Sequence, residues 1–69
     1  MKNNLADLLR SKKITILKMS LDTGLSRTTL TFLAKNRTKR IDFNTLAVIC
    51  KYLQIKPNDF FSMEEKNEF

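Results

Sequence analysis

Lys35, Arg37, Lys39 and Arg40 place four cations within six residues, in the stretch KNRTKRI at 35–41. In a free protein these charges repel one another, and phosphate groups on a partner would relieve the repulsion. Arg27, Thr28, Thr31 and Phe32, a little upstream, carry a different chemistry. A guanidinium can donate two hydrogen bonds to guanine O6 and N7, and threonine methyls or a phenyl ring can meet a thymine methyl. Arg27 could equally clamp a phosphate, so two roles stay open for it. The Thr15 hydroxyl, at the start of its own helical segment, adds a neutral phosphate ligand.

Catalytic chemistry has little to stand on. The chain has no histidine, which removes the commonest general base and zinc ligand, and its one glycine cannot build a glycine-rich phosphate loop. Cys50 falls on an apolar stripe and reads as a small core residue, while Glu64, Glu65 and Glu68 lie on a tail with no scaffold to shift them. No enzyme, cofactor or metal is expected. The net charge of +6 is unevenly spread: residues 1–40 hold ten Lys or Arg against Asp7 and Asp22, and residues 41–69 hold three against five acids. The basic half is the footprint of a polyanion partner.

These side chains need helices to hold them. Residues Thr15–Asn36, TILKMSLDTGLSRTTLTFLAKN, read as a short helix, a three-residue turn around Gly24 and a second short helix. Apolar Met19, small Ser20, Gly24, Leu25, Ser26, and Leu30 with Leu33 follow the order of a helix-turn-helix. At about 100° per residue, Leu30 and Leu33 turn inward together, with Thr29 and Ala34 at their flanks. Thr28, Thr31 and Phe32 then face outward, with Arg27 at the edge of the first turn. An exposed phenyl ring forfeits roughly 1.5–3 kcal/mol of burial, so Phe32 either contacts DNA or a partner or folds back over the first helix.

Five helices account for the whole pattern, an all-α fold. A first helix over about Asn4–Lys12 lines up Leu5, Leu8 and Leu9. Thr15, Ser26 and Asp42 are placed to cap the second, third and fourth. The fourth, about Phe43–Gln54, aligns Leu46, Ile49, Cys50 and Leu53, and Pro57 suits the first position of a short fifth helix that delivers Phe60 to the core, with Phe61 as a second candidate. Asn36 falls where the third helix should end, and asparagine tolerates the left-handed bend needed there. Residues 1–61 therefore form one domain, and 62–69, SMEEKNEF, an acidic tail expected to fray.

With this pattern the chain resembles the lambda-repressor/Cro-type helix-turn-helix regulators, also called the xenobiotic-response-element family, common in bacteria and their phages. Ile14, Met19, Ser20, Gly24, Leu25, Ser26, Arg27, Leu30, Leu33, Asp42, Leu46, Leu53 and Ile55 carry the match over about residues 4–61. The resemblance implies a double-stranded-DNA-binding transcriptional regulator, a repressor. It implies that Arg27, Thr28 and Phe32, with Thr31 beside them, read bases. Thr15, Lys35, Asn36, Arg37 and Lys39 would then lie near phosphates, and Ser26 and Arg40 are expected to join them. Ile16 stands where members often have a backbone-contacting Gln, Ala34 replaces a frequent acid, and Asn36 replaces a frequent Gly.

Such regulators gain specificity as two-fold pairs on palindromic operators, with recognition helices about 34 Å apart. A dimer or partner surface is expected from the fifth-helix end (Phe60 and Phe61, the favoured choice), from the tail, or from the stripes Leu17/Leu21 and Val48/Tyr52, which could equally be ordinary core in a slightly rotated packing. Its small size predicts a weak homodimer without DNA. The same stripes suit the competing class, a protein-interaction module such as an antitoxin or a phage regulator that docks another protein. No apolar run exceeds the five residues Leu46–Cys50, so neither a membrane span nor a signal peptide is expected. One cysteine without a disulfide partner suits a reducing cytoplasm.

Overall fold

Side-chain oxygens start the three central helices of the computed structural model, which describes residues 2–61. The Thr15 hydroxyl accepts the Lys18 N–H at 3.0 Å, Ser26 accepts those of Thr28 and Thr29, and an Asp42 carboxylate oxygen accepts that of Thr45 at 3.0 Å. Each satisfies amide groups that the first helical turn leaves without partners. The described residues form α1 (Leu5–Lys12), α2 (Ile16–Thr23), α3 (Arg27–Ala34), α4 (Phe43–Leu53) and α5 (Pro57–Phe60), an all-α domain. Pro57 opens α5 as expected, and the Asp59 carboxylate accepts the Lys56 N–H at 3.2 Å. The expected tail, 62–69, lies outside the described residues.

Helix ends are closed by left-handed residues. Gly24, at φ +81°, ends α2. Lys13, Asn36 and Gln54 take the same conformation after α1, α3 and α4, at φ 58–59°. In each the following amide reaches back five residues: Ile14 N–H to Leu9 C=O, Arg37 N–H to Phe32 C=O, and Ile55 N–H to Cys50 C=O. This double closure satisfies terminal carbonyls, and Ile14 and Ile55 also seal it with apolar contacts to the core. Gln54, expected as the last residue of the fourth helix, is thus its stop. A residue with a Cβ is disfavoured in this conformation, so Gln54→Gly should raise stability by about 0.5–1 kcal/mol in urea unfolding. A loss instead would mean that the Gln54 side chain holds the bend.

The core gathers one stripe from each helix: Leu5 and Leu9, Met19, Leu30 and Leu33, Ile49, Cys50 and Leu53, and Phe60. Helix α2 packs on α3 and α4, α1 packs on α3, and α5 closes against α4. Leu8 and Leu46, expected on buried stripes, are only half-buried at the core margin. Thr29, expected to flank the core, is exposed. Phe60 is wholly buried, and Phe61 packs edge-on against it with ring centroids 5.1 Å apart. Asn3 and Phe61 meet in an isolated antiparallel bridge, and the Asn4 N–H donates to Phe60 C=O at 2.7 Å. The segment before α1 is therefore sewn to the end of α5.

Candidate nucleic-acid interface

The inward turn of Leu30 and Leu33 decides what α3 shows to solvent. Both are buried, so the opposite stripe and the first turn stay outside. Arg27, Thr28, Thr31 and Phe32 line one open concavity of about 440 Å³ there. Phe32 is 49% exposed, and its ring forms a wall of this hollow. Arg27 and Thr28 are exposed and Thr31 is half-buried.

Hydroxyl groups lock the turn that aims α3. The Ser20 hydroxyl donates to Leu25 C=O at 2.6 Å, and Thr23 donates to Met19 C=O at 2.7 Å while accepting the Leu25 N–H. A Cβ added at Gly24 would meet no atom within 4 Å, so its left-handed backbone, not crowding, is what favours glycine there. Thr15 and Ser26 spend their acceptor capacity on caps. Each hydroxyl hydrogen can still be donated outward.

The cationic loop leaves the far end of α3. Lys35, Arg37, Lys39 and Arg40 are exposed. Among the described residues the ion pairs are Arg10–Asp7 and Lys18–Asp22, and neither involves this loop. Asn36 takes the left-handed bend as expected, and its side chain has a further duty. Its Oδ1 accepts the Asn3 N–H at 2.8 Å, which leaves the amide N–H groups as its means of meeting a phosphate. The sequence gives no signal for the grip of Asn3 on Leu33 and Asn36, because these two partners lie 30 or more residues away and no local pattern reports them.

A second face runs along α2 and α4. Leu17 is 49% and Leu21 74% exposed, and Val48 and Tyr52 are half-buried. Val48 and Tyr52 line a hollow of about 460 Å³ with Asp22, Thr23 and Lys51. The Tyr52 hydroxyl donates to Asp22 at 2.6 Å and Lys18 approaches the same carboxylate, which together hold Asp22 below the usual carboxylate range. The bond raises Tyr52, because the carboxylate prefers a hydroxyl that keeps its proton. Phe60 corrects the favoured dimer site: its ring is sealed in the core and offers nothing to a partner, leaving half-buried Phe61 at that end. Phe43, outside the stripe expected for α4, is exposed, which its residue type does not suggest. Burial pushes the Cys50 thiol up, away from thiolate chemistry. Among the described residues, no helix is long and apolar enough to cross a membrane.

Comparison with known proteins agrees with this architecture. The chain superposes with TM-score 0.77 on a crystal structure from Bacteroides fragilis whose suggested role is DNA binding. The two share 18% identity, covering 88% of this chain and 97% of the other, a likeness of fold. No curated protein matches the chain. The family model described as Cro/C1-type HTH DNA-binding domain matches residues 4–66. With its five helices and α2–turn–α3 unit in place, the chain belongs to the Cro/C1-type helix-turn-helix DNA-binding domains.

Proposed function

We propose that the protein is a sequence-specific double-stranded-DNA-binding transcriptional regulator, a cytoplasmic repressor of bacterial or phage origin. Arg27, Thr28, Thr31 and Phe32 read base edges in the major groove. Thr15, Ser26, Lys35, Asn36, Arg37, Lys39 and Arg40 hold the phosphates on either side. The observation that carries this reading is the hollow on α3, where donor, methyl and ring converge while the inward leucines are buried. Selection of bound sequences from a random duplex pool tests it. A defined motif is expected, and a pool returned unenriched would overturn it.

Arg27→Ala then separates reading from holding. If Arg27 contacts guanine, the substitution costs about 1–3 kcal/mol on the selected site and relaxes preference at one base pair. An equal loss on every sequence would assign Arg27 to the backbone. The protein acts as a two-fold pair on a palindromic site and associates weakly without DNA. With Phe60 sealed, Phe61 and the Leu17/Leu21 and Val48/Tyr52 faces are, among the described residues, what remains of the expected seams. Titration should give two copies per site, and a one-to-one complex on a non-palindromic sequence would overturn the pairing.

A second reading rests on Leu17 and Leu21, one helical turn apart on α2 and both exposed. A protein-interaction module, such as an antitoxin or a phage regulator that docks another protein, would use that face. Failure to shift random duplex at low salt would favour it.

A further inference from the structure

The segment before α1 grips the recognition helix where the cationic loop departs. Asn3 is 8% exposed and uses its backbone and side chain on three partners. Its N–H donates to Asn36 Oδ1 at 2.8 Å, its Nδ2 donates to Leu33 C=O at 2.9 Å, and its Oδ1 accepts the Leu5 N–H at 2.9 Å. The same residue bridges to Phe61. It therefore joins the start of α1, the last turn of α3 and the end of α5 at one point. Asn36 is the residue from which the loop with Arg37, Lys39 and Arg40 swings out.

We propose that Asn3 is a positioning residue for DNA binding, which, through Leu33 and Asn36, holds the recognition helix and the cationic loop in one fixed relation. The proposal rests on the DNA-binding reading above and adds a residue that does not touch DNA. Four like charges in six residues favour a splayed, variable loop. A phosphate row is met efficiently only by cations already in place, because ordering a loop on binding subtracts from affinity. The Asn3–Asn36 bond supplies that order before DNA arrives. A glycine at position 36 would make the same left-handed bend but could not accept the Asn3 N–H, so it would cut the loop's tie to the segment before α1.

Three variants test this on random and selected duplex, with affinities taken well below each melting temperature so that only folded protein is compared. Asn3→Ala removes the side-chain bonds to Leu33 and Leu5. Asn3→Asp keeps an acceptor for Leu5 and loses the donor to Leu33. Asn36→Gly keeps the bend and removes the acceptor for the Asn3 N–H. The folded Asn3→Ala and Asn36→Gly proteins should bind about fivefold or more weakly, with a salt slope shallower by about 0.9 for each phosphate no longer neutralised. Asn3→Asp loses the same Leu33 bond and adds a negative charge beside the loop, so it should bind at least as weakly as Asn3→Ala. Asn3→Ala combined with Asn36→Gly should lose less than the two separate effects together, since the Asn3 side chain, through Leu33, is what holds the Asn3 N–H against Asn36, and either change undoes that one contact. If the Asn3 variants melt earlier yet bind with the parent's affinity and slope, Asn3 is structural only and the proposal fails. If the parent itself binds no duplex, the functional reading falls and this proposal with it.

Discussion

Leu30→Ala should leave the domain largely unfolded at 37 °C. Leu30 is wholly buried, on a face shared with Met19 of α2, Leu33 and the first helix. Truncating such a leucine removes transfer energy and leaves a cavity, at a cost of about 2–5 kcal/mol. A domain of this size has roughly 3–10 kcal/mol in total, so one methyl-rich side chain carries much of the margin. Circular dichroism melts of parent and variant check it. The same substitution at exposed Thr28 should leave the melt nearly unchanged. A Leu30→Ala protein that melts like its parent would mean that the inward face of α3 is misassigned, and the outward one with it.

The second large effect is electrostatic. If Lys35, Arg37, Lys39 and Arg40 each neutralise a phosphate, log affinity per monomer should fall against log salt with a slope near about −3.6. Changing Arg37, Lys39 and Arg40 together to Gln should flatten that slope to about −0.9 and weaken binding on the order of a hundredfold at about 0.1 M salt. Every sequence should suffer alike, because phosphates carry no base information. The melting temperature should hardly move, since neither of the ion pairs among the described residues uses these side chains. Fluorescence anisotropy over a salt series gives both numbers. A parent slope near zero would remove the electrostatic footprint.

Local chemistry makes most of the fold readable from the chain alone. Thr15, Ser26, Asp42 and Pro57 are start signals whose partners lie within four residues, and the structure uses each as a start. Leu30 and Leu33 are found on the buried face expected from helical periodicity, which also sorts Arg27, Thr28 and Phe32 to the outside. What stays hidden depends on distance or on exceptions to preference. Asn3 is defined by partners across the chain. Lys13 and Gln54 adopt a conformation for which their residue types give no warning, because the neighbouring Ile14 and Ile55 enforce the bend by packing. Phe60 is sealed in the core as the sequence leads one to expect, whereas the half-covered, edge-on seat of Phe61 against it has no local signal. The tie between Tyr52 and Asp22 bridges two helices 30 residues apart and is equally invisible in the sequence.

The pairing of Asn3 with Phe61, and of Asn4 with Phe60, brings the entrance and exit of the fold to the same edge. Viewed as a building block, such a domain is a cassette. A polypeptide fused ahead of residue 3 and another fused after residue 61 would emerge side by side, so the domain could be spliced into a host loop without prying its helices apart. A short linker joining those two points would also permit circular permutation, with new ends opened in a connection remote from α3. Because that edge touches the last turn of α3 through Leu33, strain in a tight splice would be felt first by the end of the recognition helix. The fold thus offers engineers a natural place to make an inserted host domain and duplex binding respond to one another.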